Sequence, residues 1–302
     1  MTDDPSSNKN YSKIVHETVN KKYKKRIIVN KLVTIFTIVC VIAAIVPLAS
    51  ILLEVIKNGV SAISFEFLTQ PQGSIGSGSG GIAPAIQGTI IVVGLASLIG
   101  APIGVLAGIY LSEFAKEGIF PDLVRFFNDV LTGLPSIVIG IVGYVVIVLS
   151  IGSFSVLAGA ISLSIIMIPI VVRVTEETLK IVPYSFREAG HSLGISKAKI
   201  TLSIVLPSAK NGILTGIVIA VSRIAGETAP LIMTILGTSL FFTGITGPVD
   251  ALPLRIWRLA SQPYESAHSF GWGSALILIL MILALSVGLR FLAQRNTLKA
   301  SA

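Results

Sequence analysis

The stretch Glu188-Ala189-Gly190-His191-Ser192-Leu193-Gly194, followed after nine residues by Ile204-Val205-Leu206-Pro207, decides how this chain folds. It lies in a charged connection between long apolar segments. Pro183 and Ser185 mark a helix start just before it. Phe186, Ala189, Gly190 and Leu193 then fall at i, i+3, i+4 and i+7, giving one apolar face about two turns long. Gly194 is placed to stop that helix in a left-handed cap, and Pro207 ends the run before the next apolar segment. A short polar helix of this kind either lies on a membrane surface or offers a docking surface to a soluble partner.

Working outward, the flanking segments are apolar for long enough to cross a bilayer, which takes about 20 residues. They are Leu32 to Leu53, Ala85 to Ser112, Val130 to Ser150, Phe154 to Val172, Gly212 to Leu236 and Gly271 to Leu289. The fold class expected is all-α: a polytopic membrane protein with six transmembrane helices and a cytoplasmic helix between the fourth and fifth. The composition agrees, with 53% hydrophobic and 13% charged residues and a mean hydropathy of +0.86. A period-two alternation is absent, which makes a membrane β-barrel a poor alternative. The first apolar run is too long and too far from the start for a signal-peptide core, so it reads as a retained helix. Cys40 lies alone inside it and carries no redox information.

Orientation follows from the basic residues. With six spans, 19 of the 23 Lys and Arg residues fall on one side, eight of them before the first span. Both termini and the 176–208 loop are therefore expected in the cytoplasm of a multi-pass cell-membrane protein. The net charge of +8 is an orientation signal. It is split among separate segments, so no nucleic-acid partner is expected, and the basic start rests near anionic lipid. Residues 1–30 form a basic cytoplasmic segment, loosely ordered up to the first helix, and residues 31–295 form the transmembrane domain.

Several local patterns fill in the path. The glycine-rich run Gly73 to Gly81 lacks the Lys-Ser/Thr and preceding strand of a phosphate loop and reads as a flexible linker. Gly100, Gly104 and Gly108 leave one helix face bare, suited to close helix packing. Gly133-Leu134-Pro135-Ser136 opens the third span, with the proline in its first turn. Ile151-Gly152-Ser153 forces the third and fourth spans into a tight antiparallel hairpin.

Arg223 and Glu227 are charged residues inside the fifth apolar run. Counted from Gly212, Arg223 lies about 16 Å along a helix rising ~1.5 Å per residue, near the middle of a ~30 Å hydrocarbon layer. Their spacing lets them pair, so they either lock the helix into the bundle or place Arg223 on a polar path for an anion. A guanidinium fork suits phosphate oxygens and stays charged. Glu176 and Glu177, beside Arg173 and Lys180, read as solvated ion pairs rather than a catalytic carboxylate pair. His191 has no ligand-spaced partner and reads as a surface residue, with no metal or other cofactor expected.

The pattern Glu188-Ala189-Gly190-x-x-x-Gly194, nine residues, Ile204-x-Leu206-Pro207 resembles the EAA loop of ABC-importer permeases. Gly190 replaces the usual third alanine, a change expected to matter little sterically while lowering helix propensity by roughly 1 kcal/mol. Further segments are similar to the PstA family of phosphate-importer permeases, over roughly residues 80–290. They are Gly81-Ile82-x-Pro84-Ala85-Ile86-x-Gly88-Thr89, Tyr110-Leu111-Ser112-Glu113, Arg173-x-Thr175-Glu176-Glu177 and Gly226-Glu227-Thr228-Ala229-Pro230-Leu231. The last of these favours PstA over its sister family PstC.

The resemblance implies a type I ABC importer permease, a non-catalytic subunit whose ATP is hydrolysed elsewhere. The implied partners are a PstC-like permease, a PstB-like ATPase dimer and a PstS-like phosphate-binding protein outside. It also implies ATPase coupling through Phe186, Glu188, Ala189, Gly190, Leu193 and Gly194, and phosphate passage at Arg223 and Glu227. Binding-protein contacts are placed at residues 239–270. Sulfate or molybdate remains open, because arginine recognises all of these oxyanions. A secondary transporter is disfavoured by the lack of an inverted repeat. An intramembrane enzyme is disfavoured by the lack of a nucleophile–base or metal set at membrane depth.

Overall fold

The structure is a computed structural model and describes residues 5–73, 80–115 and 118–298. The chain divides into two units, Met1–Ile56 and Lys57–Ala302. The first is built on α1 (Pro5–Val60). Helix therefore begins at Pro5 rather than near residue 31, as expected where no glycine or proline interrupts the chain before Pro47.

The second unit contains α2 (Phe65–Thr69), α3 (Ala83–Phe114), α4 (Ile119–Gly133), α5 (Ser136–Ile151) and α6 (Val156–Ile181). It continues with α7 (Tyr184–Ser192), α8 (Lys197–Ala225), α9 (Ala229–Thr234), α10 (Leu252–Ala260) and α11 (Glu265–Leu298). Among the described residues, extended pairing is limited to two isolated bridges, Gln72 with Gly80 and Leu236 with Val249. The expected linker at residues 73–81 lies mostly outside the described residues. Five described helices are long and apolar enough to cross a membrane, six when the bent pair α4–α5 is counted as one span. The all-α architecture with five to six candidate spans is the one the apolar runs require.

Small residues bring these helices together around α6, where 67% of the most apolar stretch is buried. A Cβ added at Gly100, Gly104 or Gly108 of α3 would lie 3.3 Å from Met167, 2.7 Å from Val171 and 2.6 Å from Thr175. The bare face read from the sequence thus meets α6. A second ladder comes from α8, where a Cβ on Gly212 or Gly216 would sit 2.3 Å from Thr178 or Val174. The hairpin between α5 and α6 turns at Gly152, with φ +78°, and Gly143 abuts Ser162 across it. Gly104→Ala is expected to cost about 1–3 kcal/mol, the usual penalty for overpacking, read as a lower unfolding temperature of the purified protein.

Two expected spans are corrected. The third does not run from Val130. Leu134 and Pro135 are extended (ψ 136° and 130°), because a residue before proline is kept out of the helical region, and the chain bends by 102° there. Pro135 caps α5 instead of entering its first turn. Residues 119–133 form the amphipathic α4, tied to α6 by Arg125 donating to Glu176 (3.2 Å) and Asn128 donating to the Pro169 carbonyl (3.4 Å).

The fifth span, expected as one helix from Gly212 to Leu236, is broken. α8 starts earlier, at Lys197, and stops at Ala225 with Gly226 as its cap. Pro230 cannot donate to the Gly226 carbonyl and would clash with it in a continuous helix, so it sits instead in the first turn of α9.

Candidate functional site

The loop between α6 and α8 forms as its residues dictate. Pro183 (φ −55°, ψ 137°) precedes the first turn of α7. Gly194 has φ +71°. Its N–H donates to the His191 carbonyl (2.9 Å), and the Ile195 N–H reaches the Gly190 carbonyl (3.1 Å). That pair of bonds is the Schellman stop, which satisfies carbonyls the helix end would otherwise leave open.

Of the expected apolar face, Phe186, Ala189 and Leu193 are exposed, Leu193 by 78%. Tyr184 adds to this outward surface. Gly190 is buried instead and meets Ile200, where an added Cβ would lie 2.7 Å from both Cγ1 and Cδ1. The replacement of alanine at 190 is therefore not sterically neutral in this chain. Gly190→Ala should gain ~1 kcal/mol of helix propensity against about 1–3 kcal/mol of overpacking. A net loss of thermal stability is expected, read as a lower unfolding temperature of the purified protein.

The inner side of α7 is fixed by a group that sequence reading passed over. Arg187 Nε and Nη2 donate to the two carboxylate oxygens of Glu113 (3.0 and 2.6 Å). Nη1 and Nη2 also donate to the carbonyls of Val182 (2.8 Å) and Leu179 (3.0 Å). The side chains are only 13% and 3% exposed. The hydrogen bond to Glu113 raises the Arg187 pKa above its ordinary value, against the opposing effect of burial. Around this pair, Leu179, Val182, Ile200, Val205, Ala209 and Ile213 form a small core. The available signal was a glutamate closing an apolar helix and an arginine mid-loop, each needing a partner. Which partner it was depended on residues 74 positions apart. His191, as expected, is exposed, and it lines a cleft of about 360 Å³ beside Arg187.

Arg223 and Glu227 flank the break between α8 and α9. The Gly226 and Glu227 N–H groups donate to the carbonyls of Arg223 and Ile224, both at 3.2 Å. The antiparallel register set by Gly212 on Thr178 and Gly216 on Val174, continued along α8, brings Arg223 level with Met167. That is ~16 Å from the start of α6 at 1.5 Å per residue. The ion pair is loose: Nε lies 3.9 Å from Oε1, and the Arg223 side chain is 57% exposed against 19% for Glu227. Asn211, Thr215, Ile219 and Arg223 recur every four residues and are all exposed, so they share one outward stripe of α8. An arginine facing hydrocarbon costs at least ~2.5–3.5 kcal/mol. This face therefore requires water or another protein surface.

Other charged groups depart from expectation. Glu177 pairs with Arg173 on the surface (2.6 Å), as anticipated. Glu176 is not solvated: it is 5% exposed and accepts from both Arg125 and Lys180 (2.7 Å). A second buried pair, Asp250 with Arg255, escaped sequence reading. The residues are 0% and 1% exposed. Arg255 Nε donates to Asp250 Oδ2 at 2.6 Å, and Nη1 donates to Gln72 Oε1. Burial pushes the Asp250 carboxyl up and the Arg255 guanidinium down, while their mutual attraction opposes both shifts. The Asp250 backbone presses on Gly88, and the Leu252 N–H donates to Thr89 Oγ1 (2.8 Å). The segment entering α10 is thereby sealed against the start of α3.

Comparison with known proteins bears on this geometry. The family described as "Binding-protein-dependent transport system inner membrane component" matches residues 100–297. The "Phosphate transport system permease protein PstA" of Haemophilus influenzae is 38% identical, covering 88% of this chain and 94% of that protein. The protein of the same name from Yersinia pestis is 35% identical, covering 90% and 92%.

The chain belongs to the PstA family of inner-membrane transport components.

That membership extends across a wide evolutionary distance. The "Probable phosphate transport system permease protein PstA" of Methanocaldococcus jannaschii is 35% identical over 93% of this chain and 97% of its own length. Among solved structures, a chain of a bacterial alginate ABC transporter, crystallised in complex with an alginate-bound periplasmic protein, superposes with a TM-score of 0.64. It is 16% identical and the match covers 88% of this chain and 95% of that one. The inward-facing MetNI methionine ABC transporter gives a TM-score of 0.55 at 16% identity, covering 71% and 93%. Both likenesses show the fold alone; the family match and the apolar helices make this a multi-pass membrane protein.

Proposed function

We propose that this chain is a permease subunit of an ATP-driven phosphate importer. The observation that carries the reading is the construction of α7. Tyr184, Phe186 and Leu193 face outward, while Arg187 and Gly190 bind the helix back to the bundle. An apolar face held rigidly off a membrane bundle is suited to seat in a partner's cleft. Relatives named phosphate transport permeases supply the substrate, and the exposed Arg223 supplies a group that recognises it.

In this reading both termini and the α6–α8 loop lie in the cytoplasm, as the distribution of Lys and Arg requires. A PstB-like ATPase dimer contacts Phe186, Glu188, Ala189, Leu193 and the Gly194 turn, and ATP is hydrolysed there. A PstC-like permease covers the Asn211–Arg223 stripe, so that Arg223 borders a shared path instead of lipid. A PstS-like binding protein delivers phosphate at the opposite end. Glu227 restrains Arg223 loosely, which offsets some of its charge and keeps the anion from being trapped.

The test is uptake of labelled phosphate by vesicles carrying the chain with its three partners. The expected result is uptake that requires ATP inside the compartment facing α7. Uptake without ATP would replace this reading with a secondary transporter. ATP-driven uptake of sulfate or molybdate but not phosphate would change the substrate and leave the architecture intact.

A further inference from the structure

We propose that Glu113 and Arg187 form a rigid strut that carries displacement of α7 into the membrane helices, making them positioning residues for coupling. The inference rests on the reading of α7 as the ATPase-contacting helix. α7 has nine residues, about 13 Å at 1.5 Å per residue, and among the described residues its outer side chains Tyr184, Phe186 and Leu193 are exposed. A push on Phe186 or Leu193 must leave the helix through its inner side. There Arg187 makes four described hydrogen bonds that end on α3 at Glu113, on α6 at Leu179 and on the connection at Val182. One planar guanidinium thus ties the moving helix to two membrane helices at once.

The chemistry suits a strut better than a greasy contact would. Apolar side chains slide past one another at small cost, whereas a bidentate arginine–carboxylate pair fixes angle as well as distance. Both carbonyls it meets belong to the last turn of α6 and its exit; that of Leu179 also accepts the Val182 N–H (3.2 Å), and Arg187 occupies its second lone pair. Separating the pair would strand charges that are 13% and 3% exposed, so the elements it joins move as one body. Lysine could supply the charge but not the fork or the second carbonyl bond.

The experiment measures phosphate uptake and ATP hydrolysis together, in vesicles containing the four-component complex, for wild type, Arg187→Lys and Glu113→Gln. Hydrolysis is expected to stay within about twofold of wild type, while phosphate moved per ATP falls about tenfold or more, as when a two-state link loses its preference. A parallel fall of uptake and hydrolysis would overturn the strut, because it would show a merely structural loss. So would an unchanged ratio in both variants. Should Arg187→Lys fail to assemble, Glu113→Gln keeps the side-chain shape and one acceptor oxygen and decides the question alone. A wild-type complex that takes up no oxyanion with ATP would overturn the parent reading and the strut with it. Wild-type uptake with unaltered ratios removes only the strut.

Discussion

Arg223→Gln is expected to reduce ATP-driven phosphate uptake by roughly 30- to 150-fold, the loss of about 2–3 kcal/mol from charge-assisted bonds to the anion. The amount of assembled complex should change little. The Arg223 guanidinium is 57% exposed and only 3.9 Å from its nearest carboxylate oxygen, so the bundle does not depend on it for packing. Arg223→Lys keeps the charge without the fork and should retain part of the activity. Glu227→Gln removes the restraint and should tighten phosphate binding while slowing its release, seen as a lower KM with a lower maximal rate. If Arg223 served only to hold α8, Arg223→Gln would lower the yield of complex and leave uptake per complex unchanged.

Leu193→Asp should weaken retention of the ATPase subunit by about 30-fold or more, the cost of at least ~2 kcal/mol typical of a central contact residue. Leu193 is 78% exposed in this chain, so the substitution buries no charge until the partner arrives. The membrane subunit alone should therefore melt at its wild-type temperature, and the loss should appear only on co-purification. Phe186→Asp, at 49% exposure, is expected to act in the same direction. Equal destabilisation of the isolated subunit would mean that these side chains pack within it.

The legible part of the site was the part written in neighbouring residues. Pro183 and Gly194 bound α7 because a proline ring and a left-handed backbone act on their own turn. Gly100, Gly104 and Gly108 share a face because helical spacing alone puts them there. The sequence pattern could not say that within one apolar stripe Leu193 faces out while Gly190 faces Ile200. That division depends on where α8 lies. Arg223 was legible as a charge in an apolar run, but its looseness from Glu227 was not, because the helix break at Gly226 changes the geometry a continuous helix would impose.

By itself, the sequence determined an all-α membrane protein, the apolar spans other than the third and fifth, the ends of α7 and the hairpin at Gly152. These follow from dihedral preference and hydrophobic length, which act over a turn or over a single span. Only the tertiary structure decided that Glu113 meets Arg187 and that Asp250, Arg255 and Gln72 are buried together. It also decided that α6 lies between two glycine ladders. Those contacts join residues far apart in the chain, and a charge buried in a bundle takes whichever partner the helix packing brings within reach.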